Sequence, residues 1–126
     1  MPRASRNITV HVVDDDGDVL KSLKFLLETE GFHVSTFKSG VELLNSTTAQ
    51  QADCFVIDYK MPRMNGIDLA RHLRDRSGTT PIILITGDSD RTIPIRAAGA
   101  GISHVLQKPL IEGSLIGLIT AAVTPV

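Results

Sequence analysis

Apolar and polar positions run along this chain in two rhythms. Short β-rich runs, ITVHVV (8–13), HVSTF (33–37), DCFVID (53–58), PIILIT (81–86) and SHVLQ (103–107), alternate with longer stretches of helical period. These are DVLKSLKFLLETEG (18–31), SGVELLNSTTAQ (39–50), NGIDLARHLRDRSG (65–78), the less regular DRTIPIRAAGAG (90–101) and EGSLIGLITAAV (112–123). In the first helix Val19, Leu20, Leu23, Leu26 and Leu27 share one face, Lys21, Lys24 and Glu28 take the other, and Gly31 stops it. The third and fourth strands, CFVI and IILI, are apolar throughout, as expected when helices cover both faces of a parallel sheet. The pattern predicts an α/β fold: a doubly wound five-stranded parallel sheet with helices on both faces.

In such sheets ligands bind where the carboxyl ends of the strands turn into loops. Strand one ends in Asp14, Asp15 and Asp16, strand three in Asp58, strand four in Thr86, and strand five in Lys108 followed by Pro109. If the strands share one sheet, carboxylates, a hydroxyl and an ammonium converge on one edge. Oxygen ligands of this kind hold a hard divalent cation, and the hydroxyl and ammonium serve a bound anion. A carboxylate beside such a cation can attack phosphorus and form an acyl phosphate. Asp58 is the best nucleophile, because it stands alone on the central strand between the acidic cluster and the lysine.

Composition narrows the function classes. The chain has 126 residues, 42% hydrophobic and 21% charged, which fits one compact domain with no disordered tract. A net charge of −1 offers no general attraction for nucleic acid or an anionic membrane, although Arg3 and Arg6 make a small basic flag; direct nucleic-acid binding by this chain is not expected. The single cysteine, Cys54, sits in an apolar run and reads as a core residue in a reducing compartment. No stretch resembles a signal peptide, and none reaches the roughly 18 apolar residues of a membrane span, so a cytoplasmic location without membrane attachment is expected.

Asp14-Asp15 after strand one, IDYKMPRMNG (57–66) around Asp58, LITG (84–87) with Thr86, and QKP (107–109) together closely resemble the receiver domain of two-component response regulators, the CheY-like fold. The resemblance runs from Ile8 to about Val123, so residues 1–126 read as a single receiver domain with no output domain in this chain. VVDDDGDVLKSLKFLLETEGFHV (12–34) is most similar to the FixJ group. The resemblance implies strand order 2-1-3-4-5 and a phosphoacceptor role for Asp58, supplied by a sensor histidine kinase. Asp15 would bind Mg²⁺, or Mn²⁺ in its place, directly, Asp14 through water, and Lys60 through its backbone carbonyl. Lys108 would pair with the phosphoryl group, Thr86 would move inward to it, and Pro109 would follow a cis peptide bond. The readout would be a population shift in the surface of helix four, strand five and helix five, which controls an output domain or partner. The domain would catalyse only its own phosphorylation and dephosphorylation.

Several positions depart from the family or admit plainer readings. Val105 stands where most receivers carry a switching aromatic, which predicts weaker or different coupling to the output face. Pro94 and Gly99 predict a short or mobile fourth helix. The fifth helix, without charge after Glu112, predicts an exposed apolar strip (Ile116 and Val123 extending Leu115, Leu118, Ile119 and Ala122) that packs on a partner or a second copy as a homodimer. Asp18 reads as the N-cap of the first helix and Asp68 as a carboxylate suited to the start of the third. Lys60 and Asp88 hold loop positions that tune dephosphorylation in the family, or are plain solvated charges. His11, His33, His72 and His104 lack metal-ligand spacing, and Met61 and Met64 belong to the MPRMNG loop.

Three rivals fit less well. A haloacid-dehalogenase-type phosphatase, suggested by DDDG (14–17), ITGD (85–88) and AAGAG (97–101), would need a threonine where Asp18 stands and an acid where Thr92 stands. A calcium loop starting at Asp14 would need its glycine at Val19 and its glutamate at Phe25. A degenerate receiver serving only as a binding module is disfavoured by the retention of Asp14, Asp15, Asp58, Thr86 and Lys108.

Overall fold

The computed structural model describes residues 8–110 and 113–124; Arg3, Arg6 and Glu112 lie outside them. Strands β1 (Thr9–Val13), β2 (His33–Phe37), β3 (Cys54–Asp58), β4 (Ile82–Thr86) and β5 (His104–Gln107) form one parallel sheet in the order 2-1-3-4-5. Between and after them lie helices α1 (Gly17–Thr29), α2 (Gly40–Leu44), α3 (Gly66–Ser77), α4 (Thr92–Gly99) and α5 (Ser114–Val123). The doubly wound sheet read from the sequence is therefore the observed one.

Each face of the sheet carries its own core. Leu20, Leu23 and Leu27 of α1, with Leu115 and Ile119 of α5, cover Val10, Val12, Val56, Ile83 and Ile85. On the other face α2, α3 and α4 bring Leu43, Leu69, Leu73, Ile93 and Ala97 onto Val13, Phe55, Ile57, Ile82 and Leu84. Period-two alternation thus feeds two cores from strands that look uniformly apolar in sequence.

The local sequence explains the helix limits, with corrections. The N-cap of α1 is Asp16, whose side chain accepts from the backbone N–H groups of Asp18 and Val19; Asp18 lies inside the first turn, where its charge suits the dipole. The cap belongs to the residue with extended backbone, and Asp16 is that residue. The predicted second helix is also cut short: Ser46 accepts from the Thr48 N–H and bonds the Thr48 hydroxyl, an alternative to helical bonding, and only a 3-10 turn at Ala49–Gln51 follows. Asn65 and Asp68 form a capping box for α3. The eight-residue α4 tolerates Pro94 in its first turn, where no intrahelical donor is needed.

The exposed apolar strip expected on α5 is not there. Leu115 and Ile119 are buried, and Ile116, Leu118 and Val123 pack partly against the core, because one side of a ten-residue helix lies flat on the sheet. Among the described residues the exposed large apolar side chains are Phe25, Val41 and Ile95, on α1, α2 and α4. Cys54 is buried, with its thiol pushed up to about 12 by desolvation, and His11 is buried between Phe37 and Phe55 with an unpartnered Nδ1 and a depressed pKa. Among the described residues no helix is long and apolar enough to cross a membrane.

Candidate functional site

The sheet order reverses at β1 and β3, where the chain steps first outward to β2 and then back across to β3. Val13 pairs with Ile57, so the residues that follow, Asp14 and Asp58, leave the sheet side by side. Carboxylate oxygens of Asp14, Asp15 and Asp58 lie within 4.8 Å of one another. They open into a cleft of about 590 Å³ that is also lined by Lys60, Thr86 and Lys108. Lys60, Thr86 and Lys108 come from loops and strand ends far apart in sequence.

Each group is fixed by its strand end. The Asp14 N–H donates to the Phe37 carbonyl at 3.1 Å, which holds the β1 terminus to β2. The Asp14 side chain in turn accepts from the Asp16 N–H at 2.9 Å. Asp58 is buried at the last position of β3, and its Oδ1 accepts from the Lys108 ammonium at 3.0 Å. Lys108 is itself anchored to β4, its N–H donating to the Thr86 carbonyl at 2.8 Å. The Thr86 hydroxyl accepts from the Asp88 N–H at 2.9 Å, so one residue ties β4, β5 and the loop into α4 together. The Lys108–Pro109 peptide is cis.

Electrostatics show what the cluster lacks. Burial pushes the Asp14 carboxyl up to about 6, helped by Asp58 and Asp15 and opposed by the Asp16 N–H bond and Lys108. Burial likewise raises Asp58, and Lys108 and the Lys60 N–H pull it back. Desolvation alone would lower Lys108, yet its hydrogen bond and attraction to Asp58, with Asp14 and Asp16 behind, raise it. The three clustered carboxylates outnumber the one ammonium paired with them, an excess of negative charge that a divalent cation with oxygen ligands would offset. The donor set suits a hard cation such as Mg²⁺ and not a soft one.

The loop after Asp58 is shaped by two special backbone positions. Met64 N–H donates to the Pro62 carbonyl at 2.7 Å across a tight turn that puts Arg63 at φ 69. Gly66 then starts α3 so close to β3 that its N–H reaches the Tyr59 carbonyl at 2.9 Å.

Sequence reasoning placed Asp14, Asp15, Asp58, Lys60, Thr86 and Lys108 at this edge, and they share the cleft. Val105, on β5, is half-buried and lines a separate groove of about 550 Å³ between α4 and β5, together with Thr86, Ile93, Pro94 and Ala98. Gly87 and Ser89 also line the cleft and were not singled out, although their place just past the end of β4 was the available signal. A contact between Tyr59 and Arg96 of α4 was missed as well, and nothing local in the sequence encodes it.

The sequence profile of the response regulator receiver domain matches residues 10–120. The chain is 34% identical to the response regulator protein TodT of Pseudomonas putida over 119 residues, covering 94% of this chain and 52% of that protein. It is 36% identical to the transcriptional regulatory protein FixJ of Rhizobium meliloti over 114 residues, covering 90% and 56%. It thus spans about half the length of these curated relatives. A crystal structure of FixJ-N superposes with a TM-score of 0.82 at 32% identity, covering 96% of this chain and 99% of that one. The chain therefore belongs to the response regulator receiver domains of two-component signalling and is related to the FixJ group.

Proposed function

We propose that this domain accepts a phosphoryl group from the phosphohistidine of a sensor histidine kinase onto Asp58. The observation that carries the reading is a buried carboxylate, Asp58, held at 3.0 Å by Lys108 and flanked by Asp14 and Asp15 at the point where the sheet order reverses. An Asp58 carboxylate oxygen attacks phosphorus, the P–N bond breaks, and the imidazole leaves with the electron pair. Asp14, Asp15, Asp58 and the Lys60 carbonyl would hold Mg²⁺ or Mn²⁺, which when bound neutralises charge on the transferred oxygens. Lys108 keeps its ammonium at the same position and serves as the cationic partner of the phosphoryl oxygens.

Thr86 offers its hydroxyl to the phosphoryl group. If the side chain moves inward to donate there, its oxygen leaves the position at which it accepts from the Asp88 N–H, and the β4–α4 loop loses that tether. The phosphoryl group adds roughly −1.5 to −2 charges and biases that equilibrium. The altered α4–β5–α5 surface then controls an output domain, a partner protein or a second copy.

Incubation with Mg²⁺ and acetyl phosphate, followed by intact mass, tests the chemistry. One added phosphoryl group is expected in the wild type and none in Asp58→Asn. Uptake that survives Asp58→Asn, or is abolished only by Asp14→Asn, would sink the assignment.

A further inference from the structure

Tyr59 follows the phosphoacceptor position directly, and its backbone is locked on both sides. Its N–H donates to the Ile85 carbonyl at 2.8 Å and its carbonyl accepts from Gly66 N–H at 2.9 Å. The backbone is thereby fixed between the end of β4 and the start of α3, and the half-buried side chain packs against the core on that face. From α4, Arg96 reaches over it: the guanidinium carbon lies 5.7 Å from the ring centroid, within cation–π range, and Nη2 donates to the Tyr59 hydroxyl at 3.2 Å.

Arg96 also lies in the field of two carboxylates of the loop that leaves Thr86. Asp90 and Asp88 both attract it electrostatically. Asp90 accepts from the Thr92 N–H and hydroxyl, each at 2.8 Å, so it fixes the first turn of α4. Asp88 is held by Thr86 through its N–H and by Gln107 at its carbonyl. The Asp90 N–H donates to Asp88 Oδ1 at 2.9 Å, so hydrogen bonds run from Thr86 through Asp88 and Asp90 to Thr92 in the first turn of α4, the helix whose Arg96 bonds the residue beside Asp58.

We propose that Arg96 is a positioning residue that pins α4 to Tyr59 in the unphosphorylated conformer, and that movement of Thr86 toward a phosphoryl group releases this contact. The proposal rests on the phosphoacceptor reading above. It gives this chain an aromatic reporter at position 59, where the strand β5 position offers only Val105. An exposed cation–π contact shifts a two-state equilibrium by roughly two- to fivefold. Arg96→Ala is therefore expected to shift α4 toward its released state by about that factor before any activation.

The full chain carries one tyrosine and no tryptophan, so its intrinsic emission comes from Tyr59 alone. Emission and hydrogen exchange of residues 92–99 are measured with Mg²⁺ and with Mg²⁺ plus beryllofluoride, and acetyl phosphate uptake is followed on the same samples by intact mass. In the wild type beryllofluoride is expected to change both signals. In Arg96→Ala both changes shrink to less than half, uptake of one phosphoryl group is kept, and Arg96→Lys, which retains a cation over the ring, restores most of the response. Full-sized changes in Arg96→Ala with normal uptake overturn this inference and leave the phosphoacceptor reading standing. Failure of the wild type to take up phosphoryl overturns both.

Discussion

At Asp14 burial sets the ionisation of a carboxylate that a bound cation would need. Its carboxyl, raised by burial to about 6, keeps a proton in the folded protein at pH values where the unfolded chain has already lost it. More protons bound in the folded state means that this group's contribution to stability falls as pH rises from about 4 through about 6. A bound divalent cation reverses that loss, because it needs the carboxylate. Mg²⁺ affinity is accordingly expected to weaken about tenfold between pH 7.5 and pH 5 as the site has to release a proton on binding. Calorimetric titration with Mg²⁺ at the two pH values checks this, with Asp14→Asn expected to bind more weakly and with a flatter pH dependence. Equal wild-type affinities at both values would show that Asp14 is ionised throughout. The carboxylates of this site are legible in sequence because each directly follows an apolar strand. The identity of the α1 cap is not, because DDDGD offers several carboxylates within reach of the same N–H groups, and only the backbone at Asp16 decides among them.

Elements are placed by the spaces between them, and two glycines separate the cases. A Cβ at Gly66 would lie 2.5 Å from Leu84 Cδ1 and 2.7 Å from the Asp58 carbonyl oxygen, so α3 approaches β3 at a distance only glycine permits. Gly66→Ala is expected to lower stability by about 1–3 kcal/mol, since backbone must move to admit the methyl group. It should also slow phosphoryl uptake, because the atom displaced belongs to Asp58. Gly117, in the interior of α5, meets nothing within 4 Å, and Gly117→Ala is expected to raise stability by about 0.5–1 kcal/mol. Urea unfolding midpoints measured side by side distinguish the two, and a neutral Gly66→Ala would mean that α3 does not sit this close. MPRMNG signals a turn before α3 and Asp68 suits its first turn, so that junction is readable, while the capping role of Asn65 comes from the structure. The break in α2 was less so: Ser46 and Thr48 compete for backbone groups by hydrogen bonds that the apolar period does not report.

Across the whole molecule the reversal of strand order at β1 and β3 puts the acidic cluster, Asp58 and the lysine on one edge, and β4 and β5 run from that edge beside α4. Apolar period and strand ends were sufficient to locate that edge, whereas the distal surface depends on pairings that no local pattern encodes. Arg96 and Tyr59 are one such pairing, and the groove beside Val105 is another consequence of assembly. The groove holds about 550 Å³ between α4 and β5, with Thr86 in its wall and Val105 half-buried along it. A larger side chain there has a groove to enter, so Val105→Phe is expected to cost less than the roughly 1–3 kcal/mol of overpacking a closed core. The ring would lie along the groove wall that Thr86, Ile93 and Ala98 form, enlarging the contact between β5 and α4. Beryllofluoride-induced changes in hydrogen exchange over residues 92–107 should then be at least twofold larger than in the wild type. If the substituted protein responds no more strongly than its parent, the groove beside Val105 is not what limits coupling.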